Sequence, residues 1–325
     1  MTSQIPLVSI IIPLYVISDR FFSDLKKFAA LSYKNYEILI VTDIPITDPH
    51  LPKTNIILTH LPFSGPAEKR DIGLKKSKGI FCAFIDDDAY PHPRWLNSAI
   101  HDFQTQPNIV AVGGPGVTPP EDALLSQYGG MVYESIVTSG KAKHRFISKG
   151  QKIRTTEDWP AFNLIVRKKV LNTVKGYNCS FYGGEDTFLC LKLITHGRIL
   201  YDPRAIVFHH RRPLFLPHLK QIYNIGLHRG FFFKKFPRTS RKLFYLFPSI
   251  LTIGLVLCIG ATIAFPFMVP IFFISFLFFF FLAMLTIMKK TTVPGMVMVS
   301  IGIILTHISY GIAFIHGLLL KSLSH

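Results

Sequence analysis

The stretch Ile80-Phe81-Cys82-Ala83-Phe84-Ile85-Asp86-Asp87-Asp88 decides how this chain is read. An apolar strand that stops at clustered aspartates sets hard oxygen ligands at the rim of a sheet, where a Mg²⁺ or Mn²⁺ ion carrying a diphosphate can bind. Most aspartate clusters are solvated turns, so the neighbouring sequence has to decide between the two.

That neighbouring sequence alternates strands and helices. Val8 to Leu14 reads as a strand and Arg20 to Leu31 as a helix with Phe21, Leu25, Phe28 and Ala29 on one face. Strands follow at Tyr36 to Thr42 and Asn55 to Thr59, then a helix from Pro66 to Ser77, stopped by Gly79 before the strand Phe81 to Ile85. Such alternation predicts an α/β fold with a mostly parallel, Rossmann-like sheet whose ligands sit at the C-terminal ends of its strands. Asp43 stands at one such end and Asp86 to Asp88 at another.

Further along, Val110 to Val112 reads as a strand and runs into a Gly- and Pro-rich loop at 113–120. Residues 126 to 158 resist assignment. Order resumes with Phe162 to Arg167, then Gly183-Gly184-Glu185-Asp186 leading into a helix from Thr187 to Thr195, and short strand segments at Ile199-Leu200 and Ile206 to Phe208 before His209 and His210.

Beyond residue 213 the chain changes character. Leu214 to Phe236 is basic and aromatic, the pattern of an interfacial amphipathic helix. Leu243 to Phe265, Met268 to Met288 and Met296 to Leu320 are each long and apolar enough to span about 30 Å of hydrocarbon. Lys234, Lys235, Arg238, Arg241 and Lys242 precede the first stretch, and Lys289 and Lys290 separate the second from the third. The positive-inside rule then predicts an integral membrane protein with residues 1 to 242 cytoplasmic and the C-terminal tail outside. The expected division is a catalytic domain over 1–213, a basic interfacial segment over 214–242 and a three-helix transmembrane anchor over 243–325.

The formal net charge of +17 crowds beside these apolar stretches rather than within a nucleic-acid-binding motif. Anionic membrane lipids are therefore the expected partner, and nucleic acid is not. The four cysteines show no CxxC spacing, so neither a zinc site nor a disulfide framework follows from them.

In this order the blocks resemble a membrane-anchored glycosyltransferase of family 2 with the GT-A fold. The resemblance rests on Val8 to Pro13, Asp43, Glu68 to Gly73, Phe84 to Asp88, Asn163, Gly183 to Asp186 and His209 to Arg212. It implies an inverting, divalent-metal-dependent enzyme that moves a sugar from a nucleotide-sugar donor to a lipid-linked or membrane-proximal glycan acceptor. By that resemblance Pro13 and Asp43 border the base, Arg70 and Asp87 help hold the nucleotide, and Asp86 faces the ribose. Asp88 and His209 ligate the metal, with His210 as the alternative histidine, and Asp186 takes the proton from the acceptor hydroxyl. Trp159, Asn163 and Glu185 are expected on the acceptor side. Asp71 stands where many relatives carry Asn, and no Q-x-x-R-W pattern follows His209, so a non-processive enzyme is expected. Competing readings are a catalytically silent scaffold on the same fold and a sugar nucleotidyltransferase, which would usually carry a Gly-rich loop after the first strand.

Overall fold

A computed structural model describes residues 5–15, 17–45, 56–62, 64–179 and 183–323. Asn55, the expected start of the third strand, and the terminal Ser324 and His325, expected across the membrane, lie outside the described residues. In chain order the elements are β1 (Val8–Leu14), α1 (Asp19–Lys27), β2 (Tyr36–Thr42), β3 (Ile56–His60), α2 (Pro66–Lys76), β4 (Phe81–Ile85), β5 (Ala89–Pro91), α3 (Trp95–Thr105), β6 (Ile109–Gly113) and β7 (Gly116–Val117). Then come α4 (Leu124–Glu134), α5 (Ile136–Ser139), β8 (Arg154–Thr156), β9 (Asn163–Arg167), α6 (Lys168–Thr173), α7 (Glu185–Leu193), β10 (Arg198–Tyr201) and β11 (Val207–His209). The last elements are α8 (Leu216–Lys235), α9 (Pro237–Ser240), α10 (Phe247–Ala264), α11 (Val269–Ile287) and α12 (Val293–Leu319).

These elements fold into two compact units, Met1–Val117 with Ile147–His209, and Thr118–Phe146 with His210–His325. In the first, eight strands among the described residues form one sheet in the order β3-β2-β1-β4-β9-β6-β10-β8. The expected parallel character holds for β3, β2, β1 and β4 and for the β6–β10 pair. The sheet is nevertheless mixed, because β9 runs antiparallel between β4 and β6 and β8 closes the edge antiparallel to β10. Successive side chains of a strand point to opposite faces. Ile10 and Ile12 accordingly join one buried cluster with Phe21, Leu25 and Phe28 of the α1 side, while Ile11 joins another with Leu74, Leu171 and Leu189. Pro13, which has no N–H to give, is tolerated in a central strand because pairing with β4 ends at Ile11↔Phe84.

Three short strands, β5-β11-β7, make a second sheet. Its register sets His209 opposite Ala89, the residue after Asp88. In the main sheet, Ile85 pairs with Asn163 at the point where β4 gives way to the aspartates.

The second unit gathers α4, α5 and α8 to α12. Among the described residues three helical stretches, Leu243–Ala264, Pro266–Ile287 and Val293–Leu319, are long and apolar enough to cross a membrane, which makes this a membrane-anchored chain. The helix expected from the basic aromatic segment is α8. It packs closely on α12, where a Cβ added at Gly226 would lie 2.8 Å from the Tyr310 carbonyl oxygen and one at Gly317 only 2.0 Å from that of Leu227. Close backbone approach through small residues is a common way for apolar helices to associate. Part of the segment that resisted assignment from sequence belongs here, as α4 and α5.

Candidate active site

Helix α2 organises the carboxylates. Pro66 begins it, and the Glu68 carboxylate accepts from the Gly65 N–H at 3.0 Å, closing the first turn. Three successive residues of this helix then reach three segments. Lys69 Nζ donates to Asp43 Oδ2 at 2.5 Å and to the Leu14 carbonyl at 3.0 Å, tying the ends of β1 and β2 together. Arg70 lies between two acids, its Nη2 donating to Asp86 Oδ1 at 2.7 Å and its Nη1 to Glu185 Oε1 at 2.8 Å. The carboxylate of Asp71 accepts from the N–H groups of Tyr177 and Asn178, both at 2.8 Å. Asp71 thus has a structural place that an amide could fill only in part, since both of its oxygens act as acceptors.

The aspartate block divides its work. Asp87 Oδ2 accepts from the Tyr15 N–H at 3.3 Å, at the end of β1. Asp88 Oδ1 lies 3.0 Å from His209 Nε2, as the pairing of β5 with β11 requires. Ligand atoms of Asp86, Asp88 and His209 all fall within 4.8 Å of one another. Two carboxylates and an imidazole form a donor set that suits Mn²⁺, and Mg²⁺ when water and phosphate oxygens complete the shell. His210 takes another course, with its Nδ1 hydrogen-bonded to Asp122 within the second unit.

Asp43 is held below the usual carboxylate range. Burial alone would raise it, but the Lys69 ammonium and the Ser64 N–H outweigh that and favour the ionised form.

Gly183 and Gly184 take φ of +93° and +79°, a left-handed turn that turns the chain sharply into α7. Glu185 and Asp186 therefore occupy the first turn, where acidic groups complement the helix dipole. Glu185 is buried and committed to Arg70 and to the Gly183 N–H. Asp186 remains partly exposed and accepts from the Thr187 N–H at 2.7 Å. Desolvation first, then the charges of Glu185 and Asp158, push its carboxyl up to about 7. A carboxyl in that range can accept a proton near neutrality, which is what a general base needs.

Two residues expected on the acceptor side are in the core instead. Trp159 is fully buried against Tyr201, with ring centroids 5.1 Å apart, and Gly113 leaves it the room it fills. Asn163 is equally buried, accepting from Trp95 Nε1 at 2.8 Å and donating to the carbonyls of Ala205 and Pro115 at 2.8 and 3.2 Å. Neither can meet a ligand from solvent; the Trp95–Asn163 bond braces β9 against α3. Pro13 is likewise buried. Lys69 was not singled out from sequence, because lysine is mostly exposed. Its signal is its place directly before Arg70, which reaches Asp86 at the end of β4.

The profile of the glycosyl transferase family 2 matches residues 9–174, just over half of the chain. The pre-mycofactocin glycosyltransferase of Mycobacterium tuberculosis is 29% identical over 163 residues, covering 48% of this chain and 32% of the relative. WfaP of Escherichia coli, a UDP-Glc:alpha-D-GlcNAc-diphosphoundecaprenol beta-1,3-glucosyltransferase, is 31% identical over 106 residues, covering 31% of this chain and 42% of the relative. The matched region thus spans less than half the length of both curated relatives. Among solved structures, the mannosyltransferase PcManGT from Pyrobaculum calidifontis, in complex with GDP-Man and Mn²⁺, superposes with a TM-score of 0.57 at 14% identity, covering 98% of this chain and 89% of that one. The fold is therefore that of GT-A enzymes, and the chain belongs to glycosyl transferase family 2.

Proposed function

We propose that this membrane-anchored glycosyltransferase carries out inverting, non-processive transfer of one sugar from a nucleotide-sugar donor to a lipid-linked acceptor, with its catalytic domain in the cytoplasm. The observation that carries the reading is the set of acids Asp86 and Asp88, at the end of β4, joined through Arg70 to Glu185, the neighbour of Asp186 at the start of α7. The lipid-linked acceptor is supported by the undecaprenol-linked substrate in the name of WfaP, and the nucleotide sugar and divalent ion by the GDP-Man and Mn²⁺ bound to PcManGT.

Asp88, His209 and Asp86 are the residues that would hold Mg²⁺ or Mn²⁺, which when bound neutralises charge developing on the departing nucleoside diphosphate. Arg70, fixed by Asp86 and Glu185, keeps the nucleotide side of the site from moving relative to α7. Lys69 and Ser64 hold the Asp43 carboxylate ionised, leaving it acceptor capacity for a base N–H. Asp186 then takes the proton of the acceptor hydroxyl as its oxygen attacks the anomeric carbon from the face opposite the leaving group. Direct displacement inverts that centre.

The test is a binding screen of nucleotide sugars with and without Mn²⁺, followed by mass analysis of lipid extracts for an added hexose and NMR of its anomeric configuration. Metal-dependent donor binding with a new glycosylated lipid is the expected outcome. Donor binding indifferent to EDTA, or transfer with retained configuration, refutes the reading.

A further inference from the structure

We infer that α12, with α8 bound along its C-terminal half, lies flat on the cytoplasmic face of the bilayer, so that among the described helices α10 and α11 alone cross. The inference concerns how the second unit meets lipid and stands apart from the transfer reaction.

The first observation is that α8 and α12 run side by side in the same direction. His218 Nε2 lies 2.9 Å from Thr306 Oγ1, and Ser309 Oγ donates to the Leu219 carbonyl at 3.0 Å. Further on, a Cβ at Gly230 would lie 2.1 Å from the Phe314 carbonyl oxygen, and Lys234 Nζ donates to the Leu320 carbonyl at 2.8 Å. The helices keep step from His218 to Lys234 and from Thr306 to Leu320. Two helices in parallel contact share one tilt relative to the bilayer. If α12 stood upright, α8 would stand with it and carry Lys220, Arg229, Lys234 and Lys235 into or across hydrocarbon, where charged side chains are strongly disfavoured. Basic amphipathic helices belong in the headgroup plane.

Charge placement agrees. Lys289 and Lys290 precede the start of α12, while Lys234 sits at its end, with Lys235, Arg238, Arg241 and Lys242 next along the chain. A helix of 27 residues is about 40 Å long at 1.5 Å per residue, so an upright α12 would put the two basic groups on opposite leaflets. Lying flat, it puts both on one leaflet, as the positive-inside rule requires, and presents both to anionic headgroups.

The other two helices behave differently. The buried residues of α10 are confined to its start, at Pro248, Ser249 and Thr252, and those of α11 to its end, at Ala283 and Ile287. These are the positions that meet α12: Ser249 Oγ donates to the Gly311 carbonyl at 3.2 Å, and Ala283 and Ile287 share a cluster with Val299 and Ile303. Between those ends the hairpin is largely exposed and apolar, and the link at Pro266 to Met268 carries no charge. Such a hairpin fits lipid on all sides. The exposed apolar residues of α12, Val293, Val297, Ile301, Ile312 and Leu319, fall on one stripe at 100° per residue and would dip into the acyl boundary.

The partner is thus an anionic bilayer, and the described residues on either side of the hairpin lie on its cytoplasmic side. The experiment uses the full chain in sealed right-side-out vesicles treated with a membrane-impermeant maleimide, with the parent as blank. The Phe267→Cys variant, at the hairpin tip, is expected to label in sealed vesicles, and the Ser322→Cys variant only after the vesicles are opened. Both substitutions fall on exposed positions and leave the packing untouched. Labelling of the Ser322→Cys variant in sealed vesicles would mean that α12 crosses, and labelling of the Phe267→Cys variant only after opening would mean that the hairpin does not; either overturns the inference.

Discussion

Replacing Asp186 by Asn separates chemistry from stability in a way that can be worked out from its surroundings. Burial and the charges of Glu185 and Asp158 raise its carboxyl from 3.8 to about 7. Below pH 4 both the folded and the unfolded chain carry the proton, and the acid and the amide should be equally stable. Between pH 4 and 7 the unfolded chain ionises first, so the equilibrium moves toward unfolding; above pH 7 the whole penalty is present. At about 1.4 kcal/mol per tenfold in affinity the ceiling is about 4 kcal/mol, and sharing the interaction with Glu185 makes about 2 kcal/mol the working figure. For a unit of this size that corresponds to a gain of roughly 5 °C in melting temperature at pH 8 and none at pH 4. The chain's two tryptophans, Trp95 and Trp159, are both buried in the first unit, so selectively excited tryptophan emission reads the melting of that unit. The same variant should keep its donor affinity while turnover falls by about 10² to 10⁴, the usual contribution of a general base. The parent's turnover should rise with pH through a limb near 7. An Asp186→Asn chain that melts no higher than the parent at pH 8, or transfers sugar at the parental rate, refutes the account.

Asp88→Asn should weaken Mn²⁺ and donor binding together in equilibrium titrations; unchanged metal-dependent donor affinity would remove Asp88 from the ligand set. Arg70→Met leaves Asp86 and Glu185 without their shared cation, and breaking such a buried pair should cost about 3 to 5 kcal/mol in denaturant unfolding followed by tryptophan emission. Asp71→Asn replaces one of two acceptor oxygens by a donor, with an expected loss of about 1 to 3 kcal/mol at the Tyr177–Asn178 turn, and an unchanged unfolding midpoint would contradict the two hydrogen bonds seen there.

Much of the first unit could be read in the sequence because its strands are short apolar runs bounded by turn residues. Val8–Leu14, Tyr36–Thr42 and Phe81–Ile85 have the bounds that patterning gives them. Strand direction was not legible, since a run such as Asn163–Arg167 carries no mark of lying antiparallel between β4 and β6. Helix α4 was hidden by Gly129 and Gly130, which argue against a helix interior. They are there because a Cβ would lie 2.6 Å from the Arg212 carbonyl oxygen at the first and 2.1 Å from Thr118 Oγ1 at the second. The acids and histidine of the site were visible as residue types at strand ends, which is where the fold collects ligands. Burial was not visible: Trp159 and Asn163 have the composition of an acceptor surface and the environment of a core. Lys69 has the opposite history, a surface residue by type that the Asp43 carboxylate draws inward.

Lys69, Arg70 and Asp71 follow one another at about 100° steps around α2, so this helix works like a three-bit combination key. Each side chain fits one lock: the end of β2, the acids of β4 and α7, and the turn before the Gly183-Gly184 block. Inserting or deleting a single residue upstream within α2 would rotate all three away from their partners at once, whereas a point substitution releases one. Single-residue insertions should therefore be tolerated in the loops on either side of α2 and fail inside it. An insertion-scanning library scored for folding would display that as a gap at residues 66–76.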